Sequence, residues 1–358
     1  MDAVMLREQE TYGELMSTLL FPLDFQDYFA EPLTFVLDRS TASLPWEMAC
    51  FAQMQNRMAS EGRTPGARRS LSRQLQLARQ FRTMLSPKPG IPPPRNRSLR
   101  VLVIADPAPE PELQLPGARR EGRAVVEMLS TIKAYLNRLQ PAHAAIKLDV
   151  VERIGEAECD FLEIMALILN GSFDVVHFAG HGIFTPDDPN RQGWVFGRDR
   201  VLTAREIFRA RHVPRLVFAN ACFSSVIREG TPFAAEELNG SLAGIAEAFF
   251  ERGVRNYLGT GWPVNDDLAL AFAREFYAQV LVGQSAGTLL NYSSLSPQEM
   301  NGSTTSDGTQ SEASGSQPST LGKAIASARN CIYSSGGSTW GAYQHYGQAT
   351  DYLLNWRP

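Results

Sequence analysis

The chain has 358 residues, 44% of them hydrophobic, with a formal net charge of −4 at pH 7, enough for one large or two modest globular units. Cys50, Cys159, Cys222 and Cys331 lie far apart with no C-x-x-C pairing, which argues against both a disulfide scaffold and a zinc site. With no signal-peptide pattern and no apolar run of about 18 residues, the expectation is a soluble, cytoplasmic protein of a reducing compartment with no membrane segment.

In chain order, Leu15, Met16, Leu19 and Leu20 follow an amphipathic helix pattern, and Pro32-Leu-Thr-Phe-Val-Leu-Asp38 reads as a strand. Leu44-Pro-Trp-Glu47 is expected to start a helix, with Pro45 near its first position and Glu47 in its first turn. Residues 63–100 carry ten Lys or Arg and no acid, a density that can mark a nucleic-acid surface. Leu71, Leu75, Ala78, Phe81 and Leu85 nevertheless recur at helical spacing. The preferred reading is therefore an amphipathic helix with a solvated arginine face, and no direct binding of nucleic acid. Five prolines between Ser86 and Arg97 make that stretch a linker or an extended crossover.

Arg100-Val-Leu-Val-Ile-Ala-Asp106 is a parallel-type strand, followed by a helix over 117–139, a strand at Ile146 to Val151 and a helix at Phe161 to Leu169. Two further apolar runs, Val175 to Ala179 and Leu216 to Ala219, suit strands buried on both faces. The first leads into Gly180-His-Gly182 and the second into Cys222. Leu202 to Arg211 fits a crossover helix between them. A helix with Leu242, Ile245, Phe249 and Phe250, stopped by Gly253, precedes a strand at Val254 to Leu258. Another helix runs from about Asp267 to Val282. This alternation implies an α/β fold, a mostly parallel doubly wound sheet with helices on both faces. Residues 296–320, with seven serines, four threonines and no aromatic, read as a disordered insertion before a helix at Leu321 to Cys331. The aromatic stretch Trp340 to Tyr346 is expected to pack back on the core.

In open α/β sheets, sites form where the carboxyl ends of strands meet their loops. Neighbouring parallel strands ending in His181 and Cys222 would aim a base and a nucleophile at one point, the arrangement cysteine-protease chemistry requires. Gly182 has no side chain to block its amide. With the N–H of Cys222 it could form an oxyanion hole, an interaction that commonly contributes about 3–4 kcal/mol to the barrier. Three other patterns carry less. His177 and His181 have the spacing of helical metal ligands but sit on a strand, so His177 reads as a core or supporting residue. Gly283-Gln-Ser-Ala-Gly287 matches a nucleophile elbow, yet a helix rather than a strand precedes it, and a helix-to-helix turn is the better reading. Gly259-Thr-Gly261 is too short for a dinucleotide loop. No metal and no cofactor is predicted.

Taken together, Val175-Val-His-Phe-Ala-Gly-His-Gly182, Leu216-Val-Phe-Ala-Asn-Ala-Cys222, Leu242 to Val254, Leu258-Gly-Thr-Gly-Trp-Pro-Val-Asn-Asp-Asp267 and Trp340-Gly-Ala-Tyr343 resemble a CHAT domain. That is the caspase-like cysteine peptidase domain of clan CD, found in bacterial multidomain proteins and related to separase. Leu44-Pro-Trp-Glu47 matches an element of its N-terminal part. The resemblance runs from about residue 13 to 347 and departs after Cys222, where Phe223-Ser-Ser replaces the frequent Glu-Thr-Gly. It implies an N-terminal part over 1–98 and a peptidase core over 99–358. It also implies a Cys222–His181 dyad acting on a protein substrate and control by a sensor domain or regulatory partner, in regulated proteolysis or bacterial defence.

Candidate substrate contacts are Asp106, Asn220, Trp262, Asp266 and Asp267. Likeness to separase, which cuts after arginine, implies that Asp266 or Asp267 faces a basic residue before the scissile bond, with Asp106 reaching in from the other side. The competing reading makes Asn265 and Asp266 helix caps, Asp267 a first-turn residue and Asp106 a turn former. A non-catalytic docking or regulatory module, using the basic 63–100 segment as its contact surface, is the alternative function. The presence of both His181 and Cys222 favours the enzyme.

Overall fold

The computed structural model describes residues 2–22, 29, 31–50, 70–81, 98–139, 146–183, 193–207, 209–222, 246, 249–250, 253–294 and 317–354. Its strands are β1 (Leu33–Leu37), β2 (Leu77–Phe81), β3 (Ser98–Ala105), β4 (Lys147–Ile154), β5 (Val175–Ile183), β6 (Gly193–Gly197), β7 (Arg200–Thr203), β8 (Leu216–Cys222), β9 (Asn256–Thr260) and β10 (Tyr343–Tyr346). They form one sheet in the order β1-β2-β10-β9-β8-β5-β3-β4, with β6 and β7 attached to the end of β5. All pairings along that order are parallel except β10 with β9.

The continuous apolar runs form strands because side chains of alternate residues feed two cores. Val101, Val103, Val175, Leu216 and Phe218 enter one, and Leu102, Ile104, Val176, Phe178 and Val217 enter the other. The first core is covered by α4 (Pro116–Leu139), α7 (Asp266–Val282), α8 (Ala286–Ser294) and α9 (Leu321–Ser334). The second is covered by α5 (Phe161–Asn170), the β6–β7 hairpin and α6 (Ala204–Ile207). The remaining helices are α1 (Asp2–Leu20), α2 (Arg39–Ala42) and α3 (Leu71–Gln74). Gly283 closes α7 in the left-handed conformation (φ 79°), so Gly283 to Gly287 is indeed a helix-to-helix turn. The C-terminal aromatics do return to the core: Tyr343 and Tyr346 are buried in β10, and the Tyr343 ring stacks on Phe272 at 3.5 Å.

Three local expectations fail. The apolar spacing from Leu71 to Phe81 makes no continuous helix. It is broken into the single turn α3 and the strand β2, which lies inside the sheet between β1 and β10. The arginines there are not solvated either. Arg79 is fully buried and forks onto Glu47 while also donating to the carbonyls of Ala42 (2.8 Å) and Leu44 (2.9 Å). Arg73 lies over the Tyr333 ring at 3.2 Å. Leu44 to Glu47 gives one 3-10 turn, Trp46–Met48, with Pro45 as its cap rather than inside it. Residues 202–211 open in strand β7, and only Ala204–Ile207 is helical, because Trp194, Phe196 and Leu202 enter the second core from a hairpin. The proline-rich stretch, the loop after Cys222 and nearly all of the 296–320 insertion lie outside the described residues.

Candidate active site

The strands β5 and β8 run side by side in parallel, in register from Val175 opposite Leu216 to His181 opposite Cys222. The two candidate dyad residues are thus paired at the carboxyl ends of neighbouring strands. Adjacent strands lie roughly 4.8 Å apart, so the register sets the two backbones side by side at about that spacing. By the two-residue alternation, positions 177, 179 and 181 of β5 and 218 and 220 of β8 share the face covered by α4 and α7.

His181 is half-buried, and its ring hydrogen-bonds to the main chain of Leu113. Burial lowers its pKa below the ordinary histidine value, while the Leu113 bond and the nearby Asp106 carboxylate offset part of that fall. The segment carrying Leu113 is itself tied down by Asp106. Asp106 directly follows β3 in the left-handed region (φ 49°), which Asp tolerates better than most side chains. Its N–H donates to the Ala179 carbonyl (2.9 Å), and its carboxylate accepts from Leu115 N (2.6 Å) and Arg119 Nε (2.8 Å). Arg119 also pairs with Glu156 at 2.5 Å. The buried Asp106 carboxylate therefore organises the loop over His181.

Gly182 stands opposite Trp194 where β5 meets β6, and Trp194 stacks on Phe178 with ring centres 4.4 Å apart. That pairing fixes the backbone just beyond His181. Asn220 is buried, and its Nδ2 donates to Oε1 of Glu121 at 2.5 Å. The same Oε1 lies 3.2 Å from Nε2 of the fully buried His177, an ion-pair distance without hydrogen-bond alignment. Nδ1 of His177 lies 3.3 Å from the Tyr277 hydroxyl, and its ring meets Phe218 edge-on. The supporting role read for His177 thus acquires partners.

Trp262 is half-buried against the first core beside Gly341. Asn265 is the N-cap of α7, accepting from the N–H groups of Asp267 (3.0 Å) and Leu268 (3.3 Å). Asp266 and Asp267 occupy the first turn, largely exposed, 3.9 and 3.4 Å from Arg120 of α4. Glu121 and Tyr277 escaped the sequence reading. A signal existed for Glu121, which precedes Ala124, Val125 and Met128 by the spacing that puts it on the buried face of α4.

The described cysteines outside β8 are free thiols. Burial pushes the Cys159 thiol up to about 12 and also raises that of Cys331, so both stay protonated. Among the described residues, no group of three or more His, Cys, Asp or Glu could hold a metal ion. Nor is any described helix long and apolar enough to cross a membrane.

Solved structures with related topology include the separase–securin complex of Saccharomyces cerevisiae, at 13% identity and TM-score 0.41, covering 88% of this chain and 15% of that one. The Arg-specific cysteine proteinase gingipain R (RgpB) matches at 11% identity and TM-score 0.36, covering 70% and 46%. The complex of Porphyromonas gingivalis RgpB pro- and mature domains matches at 10% and 0.37, covering 77% and 56%. The chain thus spans well under two thirds of each of these proteins. No curated protein sequence matches it. The CHAT domain family model matches residues 9–348, nearly the whole chain, including β5, β8 and the Leu44 to Glu47 turn. The chain belongs to the CHAT domain family.

Proposed function

We propose that the protein is a cysteine endopeptidase that cleaves a protein partner with Cys222 as nucleophile and His181 as acid–base. The observation that carries this reading is the register of β5 and β8, which pairs these two residues at the carboxyl ends of adjacent parallel strands. In the reaction, His181 takes the thiol proton and the Cys222 thiolate adds to the scissile carbonyl carbon. The carbonyl π electrons move onto oxygen, and the oxyanion accepts hydrogen bonds from the backbone N–H groups of Gly182 and Cys222. As the tetrahedral intermediate collapses, the C–N bond breaks and the imidazolium of His181 protonates the leaving amine, which leaves a thioester on Cys222. Water, deprotonated by His181, then attacks the thioester, and the thiolate departs from the new carboxylic acid.

A depressed His181 pKa suits this cycle, because a neutral imidazole is ready to act as base near neutral pH. Its bond to Leu113 holds the ring in one orientation. We assign substrate contacts to Trp262 after β9 and to Asp266 and Asp267 in the first turn of α7, with Asn220, buried in β8, backing the site and Asp106 shaping the His181 side. The three other cysteines are described as free thiols, which suits a reducing compartment, and control by a sensor or regulatory protein belongs to the same reading. The test is turnover of a fluorogenic peptide library. Wild type should cleave, and Cys222→Ala and His181→Ala should each lose at least about 100-fold in kcat/KM, the order of one general acid–base contribution. Wild-type turnover in either variant would refute the assignment.

A further inference from the structure

Below the dyad, one buried carboxylate touches both strands that carry it. Glu121 lies in the second turn of α4 and is 3% exposed. Its Oε1 accepts from Asn220, two residues before Cys222 on β8, and stands 3.2 Å from His177, four residues before His181 on β5. Ala179 is the register partner of Asn220, and Phe218 that of His177, so these contacts straddle the two ladder positions nearest the dyad on that face. From the opposite helix, Tyr277 of α7 closes on Nδ1 of His177.

The approach of α4 to the sheet makes this reach possible. A Cβ at Gly122 would lie 2.4 Å from Cβ of Ala105, so only glycine lets the helix settle this low on β3. A buried polar cluster of this kind replaces apolar packing and is costly unless its members satisfy one another. Its cost is understandable where it fixes geometry. Stability alone would be served better by hydrophobic residues of similar size.

We infer that Glu121 is a positioning residue of the proposed peptidase, holding the end of β8 through its hydrogen bond with Asn220 and bracing the end of β5 by close contact with His177, so that Cys222 and His181 stay in productive register. It acts through other residues and does not touch substrate. The inference rests on the dyad assignment and adds to it a fixed support that neither the nucleophile nor the base supplies.

The experiment is the pH dependence of carbamidomethylation of Cys222 by iodoacetamide in the full chain, with each cysteine resolved by peptide mass mapping. The variants are Glu121→Ala, Glu121→Gln, Asn220→Ala and the double alanine, with thermal melts in parallel. In wild type Cys222 should be alkylated faster at pH 7 than in His181→Ala, where its midpoint should be that of an ordinary thiol, about 8.5. Glu121→Ala and Asn220→Ala should each raise the midpoint by about one unit or lower the plateau rate about 10-fold, while retaining a cooperative melt. The double variant should be no worse than the worse single. Glu121→Gln, which keeps an acceptor oxygen for Asn220, should recover most of the loss.

Midpoints and rates within twofold of wild type in the alanine variants would overturn the inference, as would effects that multiply in the double variant. Loss of the cooperative melt in all the variants would also overturn it, because the cluster would then support the fold and not the dyad. A wild-type Cys222 that already titrates as an ordinary thiol, indifferent to His181, would instead remove the peptidase reading itself.

Discussion

Removing the charge of Glu47 should be strongly destabilising, because it neutralises the carboxylate that two buried arginines share. Its side chain is fully buried, as are those of Arg79 and Arg329. Arg79 presents Nε to Glu47 Oε1 at 2.9 Å and Nη2 to Oε2, and Arg329 stands 4.0 Å from the same carboxylate. Arg329 already feels the strain: burial, only partly offset by Glu47 and aggravated by Arg79, brings its pKa down to about 10. In Glu47→Gln, Arg79 keeps the carbonyls of Ala42 and Leu44 and the Tyr346 hydroxyl, and Arg329 keeps the carbonyls of Ser72 and Tyr343. Hydrogen bonding thus survives largely intact, but two guanidinium charges share no anion. Breaking a buried pair this way typically costs about 3–5 kcal/mol. With an unfolding entropy of about 2.1 cal/mol/K per residue, a chain of 358 residues shifts by about 1.3 °C per kcal/mol, so the melting temperature should fall by roughly 4–7 °C. Glu47→Ala should sit at the upper end, and Glu47→Leu combined with Arg79→Met should recover part of the loss. Differential scanning calorimetry decides it. A Glu47→Gln melt within about 2 °C of wild type would refute the reasoning.

Further outcomes follow from other sites. Burial and Arg329 hold His345 down at about 3, against about 6.5 in an unfolded chain. Between those values the unfolded state binds more protons, so stability present at neutral pH is lost as pH falls below about 6.5. Between pH 7 and 5 wild type should lose about 2 kcal/mol more than His345→Gln in urea titrations, and equal slopes would contradict this. Asn265→Ala removes two bonds at the start of α7 and should cost about 1 kcal/mol. If Asp266 and Asp267 act only as first-turn residues, their alanine variants should keep the wild-type peptide preference in library profiling. A lost preference for Arg or Lys would make them pocket residues. Asp106→Ala frees the loop over His181 and should lower kcat with little change in KM, and unchanged kcat would separate that loop from the dyad.

The strands β3, β5 and β8 were legible because burial on both faces writes an unbroken apolar run, and the pairing of His181 with Cys222 was legible because each residue closes such a run. β2 was not. Leu77-Ala-Arg-Gln-Phe81 holds a charge at its centre, and nothing local says that Glu47, 32 residues earlier, meets it. The apolar residues from Leu71 to Phe81 then fit a helix better than a turn followed by a strand. Trp194, Phe196 and Leu202 did carry a two-residue rhythm at either end of a tight turn, but the expectation of a crossover helix obscured it. Glu121 was passed over because a single acid in an amphipathic helix ordinarily faces water. Its spacing to Ala124, Val125 and Met128 points the other way, and the close approach of Gly122 to Ala105 shows how near to the sheet that face lies.

Covalent trapping tests whether Cys222 is a nucleophile activated by His181. The wild-type chain, His181→Ala and Cys222→Ala are treated with a panel of peptidyl acyloxymethyl ketones, and the adduct is located by peptide mass mapping. The prediction is a single adduct at Cys222 in wild type, reduced at least about 100-fold in His181→Ala and absent in Cys222→Ala. Equal labelling of Cys222 in His181→Ala, or labelling of Cys50, Cys159 or Cys331 in its place, would contradict it.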